Sequence, residues 1–129
     1  MATMLRMAEG DLLGGAEAMP ESKSAFIPKD GAFEGARSFG EQIKHVACAH
    51  FGFLNELEGK TPPEHCEKGG TLKASSKAEL IAYLKESFDY GNRILASIDA
   101  DPLAVISGPY GGTNTRLGIV ATALWHLSD

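Results

Sequence analysis

The sequence predicts an all-α fold, a four-helix up-and-down bundle forming a single domain over residues 1–129. Three observations predict it. Apolar residues recur at three- and four-residue spacing in four separate stretches, the period of a helix with one buried face. Two of those stretches open on Ser-x-x-Glu, the form of a capping box, at Ser38–Glu41 and Ser76–Glu79. No stretch keeps the apolar-polar alternation of a half-buried strand. A chain of 129 residues is long enough to bury a core without staples.

The first element places Met1, Leu5, Ala8, Leu12, Ala16 and Met19 on one face, and Pro20 stops it. Gly10, Gly14 and Gly15 weaken this helix or permit close packing. Residues 20–37 carry Pro28, Gly31 and Gly35 with little periodicity and read as a long loop. The second helix spans about 38–58, with Phe39, Ile43, Val46, Ala47, His50, Leu54 and Leu57 as its stripe, and Gly59 with Pro62-Pro63 ends it. The third spans about 77–98, with Leu80 or Ile81, Leu84, Phe88, Gly91, Leu95 and Ile98 inward. After the turn-rich DADPLAVISGPYGGTNT, a fourth helix begins at a cap supplied by Thr113, Asn114 or Thr115 and runs to the chain end. Its stripe is Leu117, Val120, Ala121, Leu124 and Leu127 or Ser128. Two of the connections are longer than antiparallel neighbours need, and long structured loops often wall a site.

Composition narrows the function classes. Charged residues at 22% and hydrophobic ones at 43% fit a globular protein and argue against disorder. A net charge of −5 with scattered cations leaves no basic stripe for a phosphate backbone, so no nucleic-acid partner is expected. No apolar run approaches the roughly 20 residues of a bilayer span, and MATMLRMAEGD lacks a signal peptide's hydrophobic segment. No membrane association and a cytoplasmic location are therefore expected. Cys48 and Cys66 can pair by count alone, but a domain of this size without a secretion signal more often keeps thiols, and both are read as reduced.

Chemistry is sought among residues out of place in helices. His45 lies off the main stripe, on a face shared with Ala49 and Gly52, where small side chains leave room for a ligand. His126 lies on a second stripe with Ile119 and Ala123, so its ring can also point inward. Two histidines on separate helices of a bundle can converge on one cation, or each can be a hydrogen-bonded core or boundary residue. Cys48, one turn from His45, is either a soft third ligand or a small buried hydrophobe. His50 reads as a core histidine, His65-Cys66 as surface loop, and Trp125 as core or an aromatic pocket wall. GPYGG reads as a turn, since it lacks the lysine and hydroxyl of a P-loop. Glu41 is placed either to orient His45 or simply to complete its capping box.

SFGEQIKHVACAHFGFL, GKTPPEHC, SGPYGG and the terminal TALWH together resemble the DinB family, damage-inducible four-helix proteins related to thiol-dependent S-transferases and to mycothiol-dependent maleylpyruvate isomerase. The likeness covers nearly the whole chain. It implies a divalent metal (zinc, nickel or iron) held by one histidine of the second helix, here His45, and by two histidines one turn apart in the last helix. His126 matches the first of that terminal pair, while the second would fall at position 130, one residue past Asp129. Because side chains four apart share a helix face, the chain reads as cut just before its third ligand, the competing reading being a divergent member that has lost its metal. A site lacking that ligand is expected to stand empty or to hold an ion through two imidazoles only, and the missing core is expected to be covered in a homodimer.

Two functions of different kinds follow. The resemblance implies a metal-dependent thiol S-transferase or hydrolase acting on a small-molecule substrate, with a low-molecular-weight thiol as its second reactant. A bound cation would make the nucleophile, and no side chain stands out as nucleophile or general base. The alternative is a non-catalytic helical module that binds a small molecule or dimerises, with no metal.

Overall fold

The computed structural model describes residues 1–28, 35–71 and 74–128, without the side chain of Asp99. Gly31 of the predicted loop and the terminal Asp129 lie outside the described residues. Four helices lie where the periodicity places them: α1 (Ala2–Ala18), α2 (Phe39–Leu57), α3 (Lys77–Ser97) and α4 (Arg116–His126).

Both capping boxes form. The Ser38 oxygen accepts from the Glu41 amide at 3.3 Å while the Glu41 carboxylate accepts from the Ser38 amide at 2.7 Å. Ser76 and Glu79 repeat the exchange at 3.3 and 3.0 Å. Each box satisfies amides that the first turn of a helix leaves without partners. Gly59 takes a left-handed φ of +66°, and Lys60 reaches back to the Asn55 carbonyl at 2.8 Å, so α2 stops before the proline pair. Among the candidate caps of α4 it is Thr115 that serves, accepting from the Gly118 amide at 3.0 Å.

The main helix contacts run α1 to α3, α3 to α2, α2 to α4 and α4 back to α1. Only α2 and α3 are neighbours both in sequence and in the bundle. The two long connections allow this order, because each carries the chain past the adjacent position. The core lies between the helices around Leu5, Leu54, Leu84, Phe88 and Ile119. α2 is its axis, buried along both its predicted stripe and its opposite side. α1 is attached less deeply: Leu5 and Ala16 are buried, whereas Met1, Met4 and Met7 are exposed.

The sequence does not prepare for the second connection. Val105–Gly108 and Gly112–Thr115 form an antiparallel hairpin, β1 and β2, closed by residues 109–111 and paired Val105 to Thr115 through Gly108 to Gly112. Both strands are only four residues long, and although β1 alternates exposed and half-buried residues, its Val-Ile-Ser-Gly and the Gly-Thr-Asn-Thr of β2 show no apolar-polar alternation in sequence. The hairpin is held by α2. The Glu56 carboxylate, itself buried, accepts from the amides of Tyr110 and Gly111, the latter at 2.8 Å. Gly111 fits there because a Cβ would stand 2.7 Å from Ile119 and 3.1 Å from Glu56. Arg116 adds a bond of 2.6 Å to the Leu57 carbonyl at the end of α2.

α4 ends sooner than its periodicity suggests. The helix closes at His126, and Ser128 bonds three residues back to Trp125 at 3.0 Å, a tightened last turn rather than a continued helix. Leu127 is buried, while Leu117 and Trp125, expected inward, are exposed.

His50 is a core residue at 3% exposure, packed against Phe88 with ring centroids 5.5 Å apart and planes tilted by 58°. Its Nδ1 is buried without a hydrogen-bond partner. Burial lowers the imidazole to about 4 from an ordinary 6.5, and the charge of His126 pushes the same way. The unfolded chain therefore takes up a proton at His50 below about pH 6.5 that the folded chain refuses until about pH 4, so stability falls on acidification through that window. Urea titrations at several pH values should show the wild type losing roughly 3 kcal/mol more than His50→Leu between those limits. Parallel curves would mean that His50 is not held neutral by the fold.

For the hairpin, Glu56→Ala should lower stability by about 2–4 kcal/mol, because two amides then lose a charged acceptor in a buried place. The Tyr110 and Gly111 amides should exchange with solvent much faster than in the wild type. Unchanged protection at both would show that β1 and β2 hold without α2.

Candidate metal centre

His45 and His126 meet. Their ring centroids are 5.3 Å apart with planes tilted by 56°, and both residues are half-buried. α2 brings His45 and the last turn of α4 brings His126, so the site spans the contact between those two helices.

The His45 ring is oriented by a backbone group. Its Nδ1 lies 2.6 Å from the carbonyl oxygen of Cys66. A carbonyl only accepts, so Nδ1 carries the hydrogen and Nε2 is left with its lone pair. A histidine that ligates a metal through Nε2 is held in this way, with its other nitrogen donating to a fixed oxygen.

Cys66 occupies this position because it is bonded to Cys48. The two cysteines form a disulfide with Cα atoms 5.3 Å apart, which corrects the reading of both as reduced thiols. The count permitted the pairing, and what the sequence could not show is that residues 59–71 fold back over α2. Cys48 is accordingly no third ligand, and Cys66 is no surface residue. His65 is exposed, in a left-handed conformation with φ of +59°, beside Glu64 and Glu67.

The other face of the pair is aromatic. Phe53 stands 5.6 Å from the His126 ring and meets Tyr110 edge-on at 5.5 Å. Tyr110 fills the space that Gly52 leaves, for a Cβ on Gly52 would come within 2.5 Å of the Tyr110 ring. The small-residue face beside His45 is thus occupied by the hairpin rather than open for a ligand. Tyr110 donates to the Pro63 carbonyl at 3.2 Å, and burial, with the Glu67 and Glu56 carboxylates, raises its phenol above the ordinary range and keeps it a donor.

Glu41 belongs to its capping box, and its bonds to the Ser38 amide hold its carboxyl below the usual range. Glu56 and Tyr110 escaped the sequence reading. A signal for Glu56 existed, since His45, Ala49, Gly52 and Glu56 continue one helical stripe at spacings of four, three and four. Among the described residues, no three histidine, cysteine, aspartate or glutamate side chains cluster to hold a metal ion. None of the described helices is long and apolar enough to cross a membrane.

No curated protein matches the chain. The family model of the DinB superfamily does, over residues 4–129, and that span contains both histidines, the disulfide and the hairpin. With nearly its whole length matched, the chain belongs to the DinB superfamily.

Proposed function

We propose that His45 and His126 are the protein side of a divalent-metal centre in an enzyme of the thiol S-transferase or hydrolase kind. The observation that carries this reading is the pairing of their rings with the Nδ1 nitrogen of His45 committed to a carbonyl. Two imidazoles that each bind one ion at about 2.0–2.1 Å, at a tetrahedral angle, have centroids roughly 5 Å apart. The 5.3 Å between the centroids is compatible with that spacing. Imidazoles suit zinc, nickel and iron, so the donors do not select among them.

When bound, a divalent cation supplies the Lewis acidity that turns a thiol or water into a nucleophile at neutral pH. The chain's own contribution is positional. His45 is fixed in one tautomer by Cys66, and His126 is braced by Phe53. Phe53 and Tyr110 pack beside the pair and close it on one side. Coordination positions not taken by imidazole are left for thiol, water or substrate.

Titration with Co2+, followed by its visible absorption, tests the reading. One ion per chain is expected, with affinity falling at least tenfold in both His45→Ala and His126→Ala. Binding that ignores both substitutions, or no binding at all, would favour the non-catalytic helical module.

A further inference from the structure

The Cys48–Cys66 disulfide and the His45 hydrogen bond join the same two pieces of chain. Cys48 lies one turn beyond His45 on α2, and Cys66 is the residue whose carbonyl receives the His45 hydrogen at 2.6 Å. One tether is covalent and the other is not, yet both end on residue 66. Around them the segment is fastened at a few points: Asn55 to the Thr61 carbonyl at 2.9 Å, Tyr110 to Pro63 at 3.2 Å and Arg37 to the Glu67 carbonyl at 2.9 Å. None of these three reaches residue 66 itself. Within the segment the Cys66 carbonyl also accepts from the Gly69 amide at 2.9 Å, which fixes the local turn, while the bond between the sulfurs is what ties residue 66 covalently to α2.

We propose that this disulfide is a redox-operated positioning device for His45. Oxidised, it holds the Cys66 carbonyl on Nδ1 and keeps Nε2 as the lone-pair nitrogen. Reduced, it frees residue 66 from α2, the ring loses its fixed tautomer, and the histidine pair grips a divalent cation less well. The effect on the cation rests on the metal-centre reading, whereas the effect on the His45 ring does not.

The chemistry is thiol–disulfide exchange. A thiolate attacks one sulfur, the S–S bond breaks, and a mixed disulfide forms as the other cysteine leaves and takes a proton. A second thiol resolves the mixed disulfide. In sum, two thiols of a low-molecular-weight reductant become a disulfide, and their two electrons and two protons end on Cys48 and Cys66. Both sulfurs are buried, Cys48 at 0% and Cys66 at 3% exposure, so exchange must wait for residues 59–71 to lift. Reduction is accordingly slow in the native state and fast in the unfolded chain.

Reduction also releases a thiol one turn from His45, and a thiolate is itself a good ligand for zinc or cobalt. The packing argues against that role. In the oxidised fold the Cys48 sulfur lies against Gly70, where an added Cβ would stand 2.7 Å away, so Gly70 must move before the sulfur can turn toward His45.

The test uses protein labelled with 15N at histidine, in three forms: as purified without reductant, reduced with dithiothreitol, and as the Cys48→Ala/Cys66→Ala variant. Long-range proton–nitrogen correlation near pH 8 reads the tautomer of each neutral ring. The oxidised form should show His45 with hydrogen on Nδ1, and the other two should show it averaged between tautomers. His50, in the same helix but in the core, is the internal control and should not move. Affinity for Co2+ should fall about tenfold to a hundredfold on reduction, the usual cost of losing an outer partner of a ligand.

The proposal is overturned if unreduced, denatured protein titrates two free thiols, or if the His45 signals are alike in all three forms. Tighter Co2+ binding on reduction overturns it too, since Cys48 would then be joining the ion. Collapse of the His50 signals in both the reduced protein and the double variant also counts against it, because the bond would then be a staple of the whole fold. If no form binds Co2+ but the His45 tautomer still follows the disulfide, the positioning stands and the metal-centre reading falls.

Discussion

A helix buried on most of its circumference must find a partner for each polar group it carries, and α2 is such a helix. Its apolar residues face α1, α3 and α4 in the ordinary way, but His45, Cys48, His50 and Glu56 share the same surfaces. In an interior of low dielectric an unpaired donor or acceptor costs more than a good pair gains. The rest of the structure is arranged around that constraint. Glu56 takes two amides of the hairpin, His45 takes the Cys66 carbonyl, and Cys48 takes the Cys66 sulfur. Among the described residues, Nδ1 of His50 is the fully buried side-chain nitrogen without a partner, and burial holds that ring neutral.

The connections follow from the same demand. Residues 59–71 could run through solvent, but the disulfide and Asn55 draw them over the middle and the C-terminal part of α2. The segment between α3 and α4 folds into a hairpin because its turn amides have an acceptor in Glu56, and its short exposed strands have little other reason to pair. Tyr110 joins the two connections: its ring packs on Gly52 of α2 and its hydroxyl reaches Pro63 of the other loop. The histidine pair therefore lies beside a layer of loop fixed to one helix, and movement of either loop is felt at the ring it touches.

Legibility in the sequence divides along the range of the interactions. Helix positions, both capping boxes and the ends at Pro20 and Gly59 were readable, because each depends on residues within one turn. The pairing of His45 with His126 was suggested by position on two stripes and by family likeness, since no local rule connects residues so far apart. Reasoning from compartment misreads the Cys48–Cys66 bond, because the deciding fact is the path of residues 59–71. The hairpin left no alternation to find. Glu56 was legible only once the stripe His45, Ala49, Gly52 was continued by four residues, and a carboxylate on that face raises the question of which donors meet it.

The two histidines are not held equally, and the difference lies in their helices. His45 is in the middle of nineteen helical residues with a capped start, a disulfide one turn on and a hydrogen-bonded ring. His126 is the last residue of an eleven-residue helix, where carbonyls run out of intrahelical partners and the turn tightens. What steadies that turn is apolar: Leu127 is 5% exposed and packs into the core, with its amide on the Ala123 carbonyl at 3.3 Å. Trp125, on the opposite side, is 61% exposed and contributes little to the anchoring. Burying Leu127 turns the preceding residue toward α2, and Phe53 then limits where the His126 ring can lie. The geometry of the pair thus depends on covalent and hydrogen-bonded restraint at His45 and, at His126, on a short last turn in which Leu127 and Phe53 pack.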